Sequence, residues 1–179
     1  KKFRVLDIGC ASIRGYSLGL IENCGIYIGI DNSKDFVEQA RHSILKYNNC
    51  IVSHHDAEKI NISDKTFDLV VFNDMLAYTD KEKVMSEVYR ILKDGGYAIS
   101  FFNNTIDYYI YKIFNHSDNH LNEIIHSLFI IFNTNFFRIT NRRLHHTTYT
   151  NLNEIKELIY KTNFKNPKFL IADKIKYKT

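Results

Sequence analysis

The stretch Phe3-Arg4-Val5-Leu6-Asp7-Ile8-Gly9-Cys10 decides how the rest of the chain is read. An apolar run of strand length ends in an acid and then a glycine, the pattern of a buried strand giving way to a tight turn. A second run, Gly25-Ile26-Tyr27-Ile28-Gly29-Ile30, ends in another acid, Asp31. Adjacent parallel strands with such tips form a pocket. The glycine lets a ligand approach the backbone N–H groups of the first turn, and the second carboxylate suits a ribose diol. A third acid, Asp56, follows the short strand Ile51-Val52-Ser53-His54.

Working outward, strand and helix patterns alternate, which predicts a Rossmann-like three-layer α/β sandwich. Its sheet is mostly parallel, with helices on both faces. Tyr16 to Asn23 reads as a helix stopped near Gly25. Ser33 caps a second helix, with Phe36, Ala40 and Ile44 on one face. Phe67-Asp68-Leu69-Val70-Val71-Phe72 is the clearest strand. Thr79-Asp80-Lys81-Glu82 fits a capping box ahead of a helix with the buried stripe Val84, Val88, Ile91 and Leu92. Gly95-Gly96 is expected to end that helix, and Tyr97 to Phe102 to form the fifth strand. Asn151 caps a further helix carrying Ile155, Leu158 and Ile159, and Pro167 precedes a last strand, Lys168 to Ala172. Residues 1–179 read as one domain. Within it, 103–150 is an insertion with helical spacing at Ile106–Phe114 and Leu121–Phe132, longer than a plain crossover needs.

Composition excludes several classes. The 179 residues are 45% hydrophobic and 25% charged, ordinary values for a globular chain. The net charge of +4 is mild and its lysines are scattered, so no nucleic-acid surface is expected. The tight basic cluster is Arg142-Arg143 with His145-His146, and Lys174 to Lys178 reads as a frayed end. Three cysteines without C-x-x-C spacing indicate neither a disulfide framework nor a zinc site, and no metal is expected. Leu128-Phe129-Ile130-Ile131-Phe132 is too short to span a bilayer. The expectation is a cytoplasmic protein with no membrane partner.

Taken in order and spacing, several motifs resemble class I S-adenosylmethionine-dependent methyltransferases of the small-molecule type. They are Asp7-Ile8-Gly9, Asp31, Asp56, Phe67-Asp68-Leu69-Val70 and Val88-Tyr89-Arg90-Ile91-Leu92-Lys93-Asp94-Gly95-Gly96. The resemblance spans about residues 3–102, with a looser fit through 172. It implies S-adenosyl-L-methionine as cofactor, with Asp7 helping to hold its amino end and Asp31 its ribose hydroxyls. Asp56 would read the adenine amino group, and Asn73 the floor near the methionine moiety. Gly9, Cys10, Ala11, Asn32 and Ala57 are their neighbours in that set. Such proteins usually carry helices before the first strand and a seventh strand hairpinned to the sixth, whereas this chain begins at strand one. The loop also departs from the family's D-x-G-x-G-x-G. It reads Asp7-Ile8-Gly9-Cys10-Ala11-Ser12-Ile13-Arg14-Gly15, with Ala11 and Ile13 where the second and third glycines belong. Ile13 disfavours the positive φ a glycine supplies.

A sulfonium is already a strong electrophile, so such an enzyme mainly aligns an acceptor for in-line attack and excludes water. A general base is needed only when the acceptor must lose a proton, and Asp74, Tyr78 and His146 are the candidates. Tyr108, Tyr109, Tyr111, Phe114, Phe132, Phe136 and Phe137 could line an acceptor pocket or pack elsewhere. Phe72-Asn73-Asp74-Met75 lacks the Asn-Pro-Pro-Tyr pattern of base amino-methylation. No phosphate loop occurs, and Gly9 to Arg14 is not the dinucleotide fingerprint of a nicotinamide oxidoreductase. The alternative to an enzyme is a methyltransferase-like binding or scaffold module that has lost catalysis.

Overall fold

The structure, a computed structural model, describes residues 2–13, 15–102, 106–114, 120–142, 144–145 and 147–169. Strand β1 (Arg4–Ile8) leads through helix α1 (Tyr16–Asn23) to β2 (Ile26–Asp31), then α2 (Lys34–Ser43) and β3 (Cys50–His54). Strand β4 (Phe67–Phe72) and a short 3-10 turn (Leu76–Tyr78) precede α3 (Lys81–Ile91) and β5 (Leu92–Ile99). Helices α4 (Ile106–Phe114), α5 (His120–Thr140) and α6 (Leu152–Lys161) follow. The five strands lie in the order β3-β2-β1-β4-β5, and all four pairings are parallel. This is a Rossmann-like α/β sandwich with a parallel sheet, with α4 and α5 as the helical insertion after strand five.

Each face of the sheet has its own core, because alternate residues of a strand point opposite ways. Leu6 and Ile8 join Ile30, Phe67, Val70 and the helix residues Val84, Val88, Ile91, Ile155 and Leu158 on one side. Val5 joins Tyr27, Ile21, Val37, Ala40 and Val52 on the other. Helix α2 is capped as expected, Ser33 Oγ accepting from the Phe36 N–H. Its buried face is Val37 and Ala40 with Ile44 at the C-cap, a stripe spaced three and four residues apart; Phe36, one position before that stripe, is exposed.

The α3–β5 junction also departs from the sequence reading. The N-cap is Asp80, whose carboxylate accepts from the Glu82 and Lys83 N–H groups, while the Thr79 hydroxyl turns back to the Met75 carbonyl. The helix ends at Ile91 rather than at the glycines. Leu92 already pairs with Phe67, and Tyr97 pairs with Leu69, so residues 93–96 loop out as a bulge. Gly95, at φ 77°, supplies the left-handed residue this bulge needs. Lys168 and Phe169 lie in no strand, and the rest of the expected last strand, 170–172, lies outside the described residues.

The second insertion helix runs to Thr140, a full two turns beyond the expected end at Phe132. Its buried face is polar: Ser127, Asn133 and Thr134 are all within 1% of complete burial. Asn133 makes four bonds. Its Nδ2 donates to the carbonyls of His145 (3.0 Å) and Thr147 (2.7 Å), and its Oδ1 accepts from the N–H groups of Leu144 and His145. The segment so held then docks on the turn after β4, the Thr148 N–H and hydroxyl both reaching the Ala77 carbonyl. Lys81 and Arg138 converge on Glu154 to tie α3, α5 and α6 together.

Candidate active site

Strand register builds the site. Ile8 pairs with both Ile30 and Phe72, so the next residues, Gly9, Asp31 and Asn73, stand abreast at the carboxyl edge of the sheet. Asp31 pairs with His54, which sets Asp56 two residues beyond the neighbouring strand. Four of the residues singled out in the sequence therefore share one edge, where a parallel sheet binds its ligands.

The loop after β1 is clasped to the tip of β2. Gly9 and Cys10 donate their N–H groups to the Ile30 carbonyl at 2.8 and 3.1 Å. Ala11 N–H donates to Asp31 Oδ2 at 2.9 Å, and Ser33 N–H to Oδ1 at 2.8 Å. The expectation of open backbone donors in this turn is thus corrected, since three of its N–H groups are satisfied internally. What the loop offers a ligand is close approach. Gly9 sits at φ 72°, and a Cβ there would meet Met75 Cβ at 3.2 Å. Ala11 and Ile13 take the same left-handed backbone at φ 47° and 54° without being glycine, a strain of about 1–2 kcal/mol each. Ile13 is held there by burial in the α1/α2 core.

Asp31 keeps acceptor capacity, because each carboxylate oxygen has two lone pairs and one is used per oxygen. Asp7 is different. It is fully buried, pointing to the α1 face, and its oxygens accept hydroxyl protons from Tyr27 (2.5 Å), Ser17 (2.8 Å) and Tyr16 (3.2 Å). Burial pushes its carboxyl above the usual range, against the opposing pull of the three hydroxyls and with a smaller push from Asp31. Tyr16 is about half exposed, and the Asn73 side chain lies near its hydroxyl. Burial and the Asp7 charge raise its phenol to about 12. A buried acid therefore reaches the site through a tyrosine that the sequence reading passed over as a helix start. The one available signal was Tyr27, a lone aromatic hydroxyl inside an otherwise aliphatic strand.

Cys10 is buried, and burial pushes its thiol well up, so its contribution at this edge is shape rather than thiolate chemistry. The Asn32 carbonyl accepts from the His54 ring at 3.1 Å, which sets the ring in its Nε2-protonated form. Asp56 is exposed, its Oδ1 closing a turn with the Glu58 N–H, and Ala57 is buried. Asn73 Oδ1 accepts from Phe101 N–H at 3.1 Å. Asp74 takes φ 52° and donates its N–H to the Phe101 carbonyl at 2.8 Å. A non-glycine left-handed residue at the tip of β4 re-aims the chain into the turn bearing Tyr78. Helix α4 reaches the same place: the buried Tyr109 lies near Tyr78 and Asp74, and its phenol, raised mainly by burial, lies at about 12. His146 lies outside the described residues, while its neighbour His145 is held by Asn133. Among the described residues, no three His, Cys, Asp or Glu side chains gather to hold a metal ion. No helix there is long and apolar enough to cross a membrane.

Comparison with known proteins agrees with this geometry. Residues 6–100 match the family described as "Methyltransferase domain". The chain belongs to this methyltransferase family. It is 35% identical over 107 residues to the mouse (Mus musculus) arsenite methyltransferase, covering 52% of this chain and 28% of that protein. Among solved structures, the PH0226 protein of Pyrococcus horikoshii OT3 is 32% identical, with a TM-score of 0.53 over 58% of this chain and 50% of its own. The YcgJ protein of Bacillus subtilis is 22% identical, with a TM-score of 0.66 over 90% of this chain and 61% of its own, which shows a common fold. This methyltransferase chain thus spans between about a quarter and three-fifths of the lengths of these relatives.

Proposed function

We propose that this chain, acting as one domain over residues 1–179, binds S-adenosyl-L-methionine and transfers its methyl group to a small-molecule acceptor. The observation that carries the reading is the register that sets Gly9, Asp31 and Asn73 abreast, with Asp56 beside them. Asp31 would hold the ribose diol through its remaining lone pairs, and Asp56 the adenine amino group. Asn73 and the Tyr16 hydroxyl, backed by Asp7, would face the amino-acid end. When bound, the cofactor supplies a methyl group on a sulfonium. The chain's own residues orient it, exclude water with the arm from 103–150, and bring the acceptor in line. Asp74, Tyr78 and His146 are the candidates to take a proton from a hydroxyl or ammonium acceptor. For the arsenite named in the mouse relative, the described residues of the site bring no thiol cluster together. Cys24 and Cys50 flank the amino ends of β2 and β3, opposite the site, and burial raises both thiols, that of Cys50 to about 12.

Calorimetric titration with S-adenosylmethionine and S-adenosylhomocysteine, with NAD as control, tests the reading. Binding of the first two and not of NAD supports it. No heat at millimolar ligand would overturn it in favour of a catalytically inactive scaffold, the reading that the internally satisfied loop and its two strained non-glycine residues favour.

A further inference from the structure

Helix α5 is amphipathic the wrong way round. Its buried face carries Ser127, Asn133 and Thr134, with Ile130 as the apolar member. On the opposite face, Leu121, Ile125, Leu128, Phe132 and Ile139 are each 52–84% exposed. Their spacing of four, three, four and seven is that of one helical stripe, and Phe136, stacked on Phe132, fills the long gap. Monomers rarely leave such a face to water.

We infer that this stripe pairs with the same stripe of a second copy, the two α5 helices running antiparallel about a two-fold axis near Ile130. Three properties favour a copy of the chain over other occupants. First, the stripe is nearly palindromic. About Ile130, Leu128 and Phe132 are equidistant, as are Leu121 and Ile139, and Ile125 matches Phe136 to within one residue. An isologous interface requires such self-complementarity. Secondly, five large side chains more than half exposed offer on the order of 500–700 Å² per protomer. The doubled area reaches the roughly 1,000–1,200 Å² at which specific interfaces begin, and Phe129, also exposed on α5, adds to it. Thirdly, the charged residues of the helix are Glu123 and Arg138, one of each sign. An interfacial membrane helix would want a lysine- and arginine-rich polar face instead.

A charge exchange within one chain tests the geometry. In the antiparallel pair Leu128 meets Phe132 of the other copy. Leu128→Glu alone and Phe132→Lys alone should each weaken self-association by at least about a hundredfold, and the double variant should regain at least about tenfold of it. Sedimentation velocity across a concentration series reads this. Circular dichroism should be unchanged throughout, because both side chains face outward. A wild-type chain that stays monomeric into the high-micromolar range would overturn the inference, as would a double variant no better than the singles. So would a monomer that instead floats with phosphatidylcholine vesicles.

Discussion

The sheet and the helical arm are held together by opposite means. Residues 4–99 form two apolar cores packed against a parallel sheet, with Leu6, Phe67, Val70 and Val88 fully buried. The arm presents apolar side chains to water and, beside a small apolar cluster of Tyr109, Ile130 and Tyr149, hides a polar spine in which Asn133, Thr134 and Thr148 are hydrogen-bonded. Burial of hydrocarbon is non-directional, so the sheet tolerates small shifts. A buried amide with four partners accepts one geometry and is costly when any partner is lost. The difference suits the two tasks. The sheet supplies a fixed edge, and the arm places the segment after Thr140 against the turn of Tyr78.

The comparison breaks most visibly if each region is cut at its own kind of bond. Phe67→Ala empties the apolar core and is expected to cost about 3–5 kcal/mol, lowering the thermal midpoint of the whole chain. Asn133→Ala leaves two N–H groups and two carbonyls without their partner, at roughly 2–4 kcal/mol. Amide exchange should then rise in 144–150 while β1 and β4 stay protected, and cofactor affinity should change less than about twofold. A global loss of protection on Asn133→Ala would mean that arm and sheet unfold as one.

At the edge between the regions, Asp31→Ala is expected to weaken cofactor binding about ten- to a thousandfold, with Asp31→Asn milder. Because Asp31 also accepts from Ala11 and Ser33, its loss should loosen the loop as well and lower the ligand-free midpoint modestly. Unchanged affinity would mean that Asp31 is only a loop clasp. The sheet side has a pH-dependent part too. Glu87 accepts from Arg90 and from the Ile60 N–H, and the Arg90 bond, chiefly, lowers its carboxyl below the usual range. A depressed acid stabilises above its unfolded value, near 4.5, and that stability is lost as pH falls through the folded value. Glu87→Gln should cost roughly 1–3 kcal/mol at neutral pH, and the two proteins should converge in acid. The smallest effect is expected at Ala11. Ala11→Gly relieves left-handed strain of about 1–2 kcal/mol and adds unfolded-chain entropy of roughly half that, so the ligand-free midpoint should rise slightly. A fall would show that the loop relaxes around alanine.

The sequence alone determined the order of strands and helices, the tips that carry Gly9, Asp31, Asp56 and Asn73, and the family. Period-two and period-3.6 apolar patterns and turn residues are local properties, and in a parallel sheet they dictate which ends meet. Only the tertiary structure decided the rest. The helix end at Ile91 was set by pairing of Leu92 with Phe67, which the glycine pattern did not register. Asp7 became a buried acceptor for three hydroxyls because Tyr27 and α1 lie across the same face. No pattern in the sequence marks Asn133 and Thr148 as buried hydrogen-bonding residues. Their partners are backbone groups, which carry no side-chain identity for a sequence to display, so the polar spine and the outward stripe of α5 emerged only from packing.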